Sequence, residues 1–260
     1  MIDLHCHILP GVDDGPTTMA DAIAMCRLAA EDGCTVMVAT PHQRHPSFEV
    51  VTRQRLATVC AELAAALATI EGPRVEVRLG AEVRVDSELL ADLEREPSEV
   101  LSLAGGRYLL LELGRSEGEL APEDLVHELK VGGWRPVLAH PEMIPWLELG
   151  RVAHLVELGA MLQITASAVT NEFGRHPHQR VWQLLDEGLV HFVASDSHSP
   201  TWRAPGLAAA RGAVERRLGA AVARQIFVDN PARVLADVPL HAPVAVSARV
   251  GDSGSPGERP

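Results

Sequence analysis

The first fifteen residues, MIDLHCHILPGVDDG, hold the densest set of side chains that could do chemistry. A short apolar segment leads into His5 and His7, and a Pro-Gly turn is followed by Asp13 and Asp14. If the apolar segment is a strand, His5 and His7 share one face, because alternate side chains point to opposite sides. Two imidazoles with either aspartate nearby are typical of a transition-metal site. The same residues would also fit a strand end that happens to carry two histidines.

Other histidines and carboxylates recur at one kind of position along the chain. Each lies at or just past the C-terminal end of an apolar, β-prone segment; they are His42, Glu82, Glu112, His140, Asp196 and His198. His42 and His45 share a loop, and we favour His42 because it lies nearer the strand. In a parallel barrel the C-terminal strand ends gather on one face, where active sites are built. We therefore expect these side chains to join His5 and His7.

Such a cluster needs positive charge to be stable. Taken singly, each residue has a structural explanation; Glu112, for example, could be a solvated carboxylate at a strand end. Together they would crowd up to five imidazoles and four carboxylates into one place. Burying so many ionisable groups is costly without compensating charge, which divalent cations supply. Because there are more ligands than one tetrahedral ion needs, we predict two or three metal ions.

The elements that would position these residues alternate regularly between strand and helix. Thr18 and Asp21 resemble a capping box for a helix that begins near Met19. Further helices are predicted at about 48–70 and 181–187, and a strand at 75–80 ends at Glu82. About seven strand–helix alternations predict parallel strands joined by right-handed crossovers. A doubly wound sheet and a closed barrel both fit this alternation.

Composition limits the classes of protein that remain. The chain has 260 residues, of which 47% are hydrophobic, which fits one globular domain over residues 1–240. Residues 241–260 are rich in Pro, Gly and Ser and are predicted to be a disordered tail. The net charge of -12 argues against a nucleic-acid-binding surface. We expect no membrane insertion and a cytoplasmic location, because a spanning segment and a signal peptide are not recognisable and the four cysteines show no disulfide pattern.

Several separated motifs resemble one known family in order and spacing. They are MIDLHCHILPGVDDGP, ATPHQR, LGAEVRV, LLELG, VLAHPE, LQITASAVTNEFG and ASDSH. On these motifs the chain resembles the polymerase and histidinol phosphatase (PHP) superfamily. It is most similar to the manganese-dependent protein-tyrosine phosphatase branch, the CpsB/YwqE type. The resemblance covers about residues 1–237, which is nearly all of the predicted domain.

The resemblance implies a fold and a ligand set. The fold would be α/β, a distorted (βα)7 TIM-like barrel of the PHP type with a trinuclear metal cluster. The ligands carried over by motif are His5, His7, Asp14, His42, Glu82, Glu112, His140, Asp196 and His198. The motif therefore favours Asp14 over Asp13. Manganese is the expected metal, with iron or zinc as alternatives, and a donor set of imidazoles and carboxylates fits all three.

The resemblance also implies residues that act on a phosphate. Arg44 and Arg203 lie at matching positions and would orient the phosphate through bidentate contacts. Asp14 and His42 are expected to take part in catalysis as well as in metal binding. Where the family reads HPER, this chain has Met143, which lacks the charge to grip a phosphate.

The resemblance implies hydrolysis of a phosphate monoester by direct attack of a hydroxide that bridges two metals. The expected substrate is phosphotyrosine on a protein, such as a bacterial polysaccharide-assembly tyrosine kinase. Alternatives are a small-molecule phosphatase acting, for example, on histidinol phosphate, a PHP nuclease, which the charge disfavours, and a non-catalytic metal-bearing scaffold. Cys6 should be dispensable, because Val12 stands where Cys-based tyrosine phosphatases carry an arginine.

Overall fold

Parallel strands form the centre of the molecule and helices cover their outer side. The structure is a computed structural model that describes residues 1–48, 51–116 and 121–240. The tail predicted for residues 241–260 therefore lies outside the described residues. The strands are β1 (Ile2–Cys6), β2 (Val36–Ala39), β3 (His42–Gln43), β4 (Glu76–Leu79), β5 (Glu82–Arg84), β6 (Tyr108–Glu112), β7 (Arg135–Ala139), β8 (Met161–Thr165) and β9 (Phe192–Ala194).

Helices follow most of the strands, as the alternation predicts. They are α1 (Met19–Glu31), α2 (Arg53–Ala68), α3 (Leu89–Arg95), α4 (Pro122–Val131), α5 (Leu149–Leu158), α6 (Ala166–Val169), α7 (Arg175–Asp186), α8 (Ala208–Leu218), α9 (Ala220–Arg224) and α10 (Asn230–Leu235). In the part of the chain that the structure describes, no helix is both long enough and apolar enough to span a bilayer.

The strands close into a barrel. One ladder runs β1-β2-β4 and the other runs β3-β5-β6-β7-β8-β9, all parallel. After β9, Ser197 bridges to Cys6 at the end of β1, and the N–H of His7 donates to the carbonyl of Ser197 at 2.8 Å. Since β2 with β3, and β4 with β5, each fill one place, the described residues form seven strand positions. This confirms the distorted (βα)7 barrel and rejects the open doubly wound sheet.

The distortion lies where two neighbouring strand positions are interrupted at the same height. Residues 40–41 separate β2 from β3, and residues 80–81 separate β4 from β5. A Cβ atom at Gly80 would meet Cγ1 of Val38 at 3.0 Å, so this close approach favours glycine. Beyond the break, Glu82 pairs with its neighbours as the first residue of β5. The prediction that the strand ends at Glu82 is therefore wrong.

Strand β1 turns its side chains part-way along its length. Leu4 belongs to the apolar cluster inside the barrel, whereas Cys6 packs in the layer between strands and helices. Simple alternation would put both on one face, but the register shifts between Asp3 and Cys6. His5 therefore follows Leu4 into the interior. Oδ1 of Asp3 supports this shift by accepting from the N–H groups of His5 (3.3 Å) and Ser195 (3.0 Å).

The helix boundaries confirm one prediction and correct two. The Thr18 side chain accepts from the N–H of Asp21 and caps α1, as predicted. The helix predicted from about residue 48 begins only at Arg53, because Thr52 caps it. The helix predicted from residue 181 begins earlier, at Arg175. Pro177 lies in the first turn of this helix, where proline is tolerated because no N–H is needed.

Candidate metal centre

The nine predicted ligands meet at the end of the barrel towards which the strands run, although His42 and Glu82 are the first residues of the short strands β3 and β5. They form overlapping groups in which one ligand atom from each member lies within 4.8 Å of the others. The groups are His7, Asp14, His42 and His198; His5, His7 and Asp196; His5, Glu82 and His140; and His42, Glu82 and Glu112. Every member of the predicted set falls in at least one group. Because the groups share members, the arrangement fits several neighbouring cations better than one.

Glu82 lies in the middle of this arrangement and is 1% exposed. Its Oε2 atom is 3.4 Å from Nε2 of both His5 and His7 and 3.1 Å from Nδ1 of His42. Its Oε1 atom faces the other way and is 2.7 Å from Nε2 of His140. The two carboxylate oxygens therefore face different histidines, and Glu82 belongs to two of the four groups.

Two aspartates add carboxylate oxygens to the cluster. Oδ1 of Asp196 lies 3.4 Å from Nε2 of His5 and 3.6 Å from Nε2 of His7. Oδ1 of Asp14 lies 3.3 Å from Nε2 of His198, and Asp14 belongs to the group that contains His42. His45, the alternative to His42, has its ring 4.9 Å from that of His42 and is not in any of these groups among the described residues.

Two of the candidate ligands lie on strained backbone. His140 has φ of 34° and Asp196 has φ of 51°, both in the left-handed region that non-glycine residues rarely adopt. His140 directly follows β7, and Asp196 lies two residues after the end of β9. Such strain costs about 1–3 kcal/mol per residue and persists where the surrounding structure fixes it, most often at functional sites. The left-handed turn brings the His140 ring to within bonding distance of Glu82.

Burial and the neighbouring charges shift the pKa values of several members of the cluster. Burial opposes ionisation of Glu82, yet His5 and His140 hold the pKa of this carboxyl well below its usual range. Burial alone would lower the pKa of His140, but the bond to Glu82 raises it to about 9. Burial, and then the charge of His7, lower the pKa of His42 to about 4. Burial and the charge of Glu82 raise the pKa of Glu112.

The donor atoms fit bound cations, and two of them have no hydrogen-bond partner within the described part of the chain. Nδ1 of His42 and Oε2 of Glu112 are buried and make no hydrogen bond to any residue that the structure describes. These two atoms lie 3.8 Å apart, and Oε2 of Glu82 lies 3.1 Å from the same His42 nitrogen. Arg84 holds the other oxygen of Glu112 at 3.1 Å. A divalent cation among these atoms would satisfy both orphaned groups, whose burial otherwise carries a desolvation cost.

Three histidines are oriented by neighbours through their Nδ1 atoms. Nδ1 of His5 lies 2.8 Å from Oε1 of Gln163, and Nδ1 of His7 lies 2.7 Å from Oδ2 of Asp13. Nδ1 of His198 lies 2.9 Å from the backbone carbonyl of Asp196. When Nδ1–H donates in this way, the lone pair of Nε2 points to the centre and the ring is held for metal binding.

The sequence reasoning missed Gln163 and the role of Asp13. Gln163 is fully buried in strand β8, so a glutamine between the apolar residues Leu162 and Ile164 was the available signal. Asp13 and Asp14 were not separable by spacing. In the structure Asp14 joins the ligand groups, whereas Asp13 orients His7 from behind.

The two predicted arginines have different surroundings. Arg203 borders a pocket of about 450 Å³ above the cluster, where its guanidinium pairs with Asp196 and lies 3.4 Å from Nε2 of His198. The structure does not bring Arg44 into this pocket. Its guanidinium is held by Asp86, at 2.6 Å, and by Asp92, in a neighbouring pocket of about 420 Å³.

Met143 lies at the pocket above the cluster, whereas Cys6 lies away from it. Met143 lines the pocket, and so does Arg115, a cation that sequence reasoning did not select. Cys6 is fully buried on the opposite side of β1, where its thiol donates to the carbonyl of Val38 at 3.2 Å. Burial raises the pKa of the Cys6 thiol well above its usual range, which disfavours the nucleophilic thiolate.

Comparison with known proteins finds close relatives over nearly the whole described chain. Residues 1–236 match the family described as "Capsular polysaccharide synthesis, CpsB/CapC". The tyrosine-protein phosphatase YwqE of Bacillus subtilis is 34% identical over 201 residues, which cover 76% of this chain and 78% of YwqE. The tyrosine-protein phosphatase CpsB of Streptococcus pneumoniae is 30% identical over 244 residues, which cover 91% of this chain and 99% of CpsB.

Solved structures agree with this placement. A structure from the work on YwqE and CpsB, described there as unique metal-dependent tyrosine phosphatases, matches with a TM-score of 0.87 and 31% identity, covering 94% of this chain and all of the other. The lactonase Lmo2620 of Listeria monocytogenes matches with a TM-score of 0.56 at 12% identity, covering 90% of this chain and 94% of the lactonase. The second match shows a shared barrel fold alone.

Proposed function

The chain belongs to the CpsB/CapC family, and we propose that it is a metal-dependent phosphatase that hydrolyses phosphotyrosine on a protein. The observation that carries this proposal is the convergence of imidazoles and carboxylates at the strand ends, with Glu82 between the groups. Hydrolysis of a phosphate monoester needs charge neutralisation, an activated water and positioning of the phosphate. The cluster offers sites for the first two, and the arginines above it offer the third.

We propose that two to three divalent cations occupy this centre and that manganese is the physiological one, with iron or zinc as alternatives. The residues that would hold them are His5, His7, Asp14, His42, Glu82, Glu112, His140, Asp196 and His198. When bound, such cations supply Lewis acidity and lower the pKa of a coordinated water towards neutrality. The mixture of nitrogen and carboxylate donors, without thiolate, supports these metals.

The side chains around the pocket would bind and orient the phosphate. Arg203 lies between the cluster and the pocket, so its guanidinium is placed to contact phosphate oxygens. Arg115 adds a second cation at the same pocket. Asp14 and His42 line the pocket floor, which supports a direct part in catalysis. Arg44 would have to leave Asp86 and Asp92 to reach a phosphate there, so we propose that its contribution is secondary.

The leaving group makes limited demands on the protein. A tyrosine phenol has a pKa of about 10, lower than that of an alkyl alcohol, so its oxyanion departs with little help from a general acid. The protein's main tasks are therefore to hold the phosphate in line for attack and to balance its charge. We propose that Cys6 takes no part in this chemistry, because it lies on the other side of β1.

We further propose the setting of this activity. The phosphoprotein would be a tyrosine kinase of polysaccharide assembly, which the family description as capsular polysaccharide synthesis supports. The location would be the cytoplasm, which four buried free cysteines support. The catalytic domain would be residues 1–240, since the barrel and its covering helices end with α10 (Asn230–Leu235).

A comparison of substrates on the full chain tests the proposed function. The protein is loaded with Mn²⁺ and offered a phosphotyrosine peptide, histidinol phosphate and single-stranded DNA, with EDTA-treated protein as the control. We expect turnover of the phosphotyrosine peptide that is lost with EDTA and restored by Mn²⁺. Faster turnover of histidinol phosphate than of the peptide would show that the substrate is a small-molecule phosphate ester and not protein phosphotyrosine. No turnover of any substrate with metals bound would reject the enzyme and favour a scaffold.

A further inference from the structure

Aromatic side chains are scarce in this protein, and three of them surround the candidate pocket. The chain contains four tryptophans, four phenylalanines and one tyrosine. Phe48, Phe173 and Trp202 line the pocket above the metal centre. In contrast, Tyr108, Phe192 and Phe227 are fully buried in the core, where such residues usually contribute to packing.

Trp202 is the unusual member of the three. It is 68% exposed, whereas the other tryptophans, Trp134, Trp146 and Trp182, are partly buried and pack against the core. An exposed indole at the rim of a pocket keeps a large apolar surface available for a ligand. A single exposed apolar residue needs no functional explanation by itself, so its connection to the metal centre decides the matter.

Arg203 connects the Trp202 ring to the ligand cluster. The guanidinium carbon of Arg203 lies 5.7 Å from the centroid of the Trp202 ring and 5.7 Å from that of Phe173, within reach of a cation–π contact. The same guanidinium pairs with Asp196 and approaches His198. A phosphate bound beside Arg203 would therefore have aromatic surface next to it.

The loop that carries Trp202 is held by its own hydrogen bonds. The N–H of Trp202 donates to Oγ of Ser199 at 2.7 Å, and the Ser199 hydroxyl lies 2.7 Å from the Trp202 carbonyl. The N–H of His198 donates to the carbonyl of Arg203 at 3.0 Å, which closes the loop onto a metal-ligand candidate. A ring on a fixed loop loses little conformational freedom when a ligand covers it.

We propose that Trp202 is a specificity-determining residue whose indole packs against the aromatic ring of a phosphotyrosine while Arg203 and the metal centre hold its phosphate. This inference rests on the proposed function and adds how the site tells phosphotyrosine from phosphoserine. A phosphoserine brings a phosphate without a ring, so it would gain nothing from Trp202. Aromatic pairs favour binding beyond the area they bury, which corresponds to a difference of about three- to tenfold.

A matched pair of non-hydrolysable probes tests this on the Mn²⁺-loaded full chain. Phenylphosphonate carries a ring and methylphosphonate does not. Calorimetric titration should show that Trp202→Ala weakens phenylphosphonate binding about three- to tenfold and methylphosphonate binding less than about twofold, while Trp202→Phe keeps most of the affinity. Val131→Ala, at a residue that is 72% exposed on α4, is the control for loss of an exposed apolar side chain.

The same variants are then compared on phosphotyrosine and phosphoserine peptides with identical flanking residues. The ratio of kcat/KM values should fall towards unity in Trp202→Ala and stay unchanged in Val131→Ala. If the wild type hydrolyses phosphotyrosine and Trp202→Ala leaves both the ratio and phenylphosphonate binding unchanged, or weakens both probes equally, the inference is overturned and the proposed function stands. If the wild type binds neither probe and hydrolyses neither peptide, the proposed function fails first and the inference falls with it.

Discussion

Oε1 of Glu82 and Nε2 of His140 lie 2.7 Å apart, at hydrogen-bonding distance. The two residues come from β5 and from the end of β7, which are separated by β6 in the barrel. Two local features accompany this contact. His140 has a left-handed backbone conformation with φ of 34°, and Glu82 directly follows the break at residues 80–81. The other Glu82 oxygen faces His5, His7 and His42. The centre is thus organised around one buried carboxylate.

Asp13 should act on the metals through His7. In Asp13→Asn the side chain loses its charge and must place an amide group where Oδ2 now accepts from His7 and from the N–H of His42, at 3.1 Å. We expect metal affinity to fall about 10–100-fold, as for other residues that orient a ligand from behind. Competition with a chromophoric chelator measures this. Asp124→Asn, at an exposed position of α4, should leave the affinity unchanged, and equal affinity in both variants would refute the role of Asp13.

The two arginines should differ in their effect on catalysis. Arg203→Ala removes the guanidinium beside Asp196 and should lower kcat/KM for a phosphotyrosine peptide about 100-fold, the usual effect of losing a charged group that stabilises the transition state. Arg44→Ala should lower it about tenfold or less, because Asp86 and Asp92 hold Arg44 in the neighbouring pocket. Arg203→Lys keeps the positive charge but cannot make a bidentate contact with a phosphate, so this variant distinguishes the effect of charge from that of geometry. A larger loss for Arg44→Ala would show that this side chain moves to the phosphate.

Cys6→Ser should preserve activity within about twofold, because hydroxyl and thiol groups both donate to a carbonyl such as that of Val38. The metal content, measured by mass spectrometry, should also be unchanged. A loss of turnover with the metals retained would contradict the metal-centred chemistry and point to a cysteine nucleophile.

His191 should make the fold sensitive to mild acid. Burial lowers the pKa of its imidazole to about 4, and Nδ1 accepts from the N–H of Leu162 at 3.2 Å. The unfolded chain binds the proton near pH 6.5, so stability is lost as the pH falls below that value towards the folded pKa. At pH 5 the loss is about 1–2 kcal/mol relative to pH 7.5. Urea unfolding of the wild type and of His191→Asn, which cannot titrate, should show a difference that changes with pH in this direction; a pH-independent difference would refute it.

The sequence predicted what depends on local pattern and on the rules of parallel barrels. The Thr18 cap, the strand–helix alternation and the placement of polar residues at strand ends are all readable from residue types. Once the strands are parallel and closed, their C-terminal ends must meet, so the gathering of residues such as His42 and Asp196 follows. The resemblance resolved the choice between a barrel and an open sheet, which periodicity left open.

Features set by distant contacts were not readable in this way. The register shift that turns His5 inward depends on Asp3 meeting Ser195, far away in the chain. Gln163 contacts His5 from another strand, and although a glutamine in MLQIT is a signal in itself, that strand does not show that His5 is its partner. Arg44 matched a family position, but its guanidinium forms ion pairs with Asp86 and Asp92 of the next strand–helix unit. Each of these depends on which side chains the closed barrel brings together.

The central claim is that Glu82 organises a multi-metal centre that hydrolyses phosphotyrosine. Its most direct test is to measure metal content and phosphotyrosine turnover together in the wild type, in Glu82→Gln and in Glu76→Gln, an exposed carboxylate of β4 that pairs with Arg78. We predict that the wild type and Glu76→Gln each hold two to three metal ions per chain and share one rate. Glu82→Gln should lose at least one metal ion per chain. Its kcat/KM should fall more than about 100-fold, which exceeds the usual effect of mutating a residue that only orients a metal ligand. Full metal content and full turnover in Glu82→Gln would contradict the account.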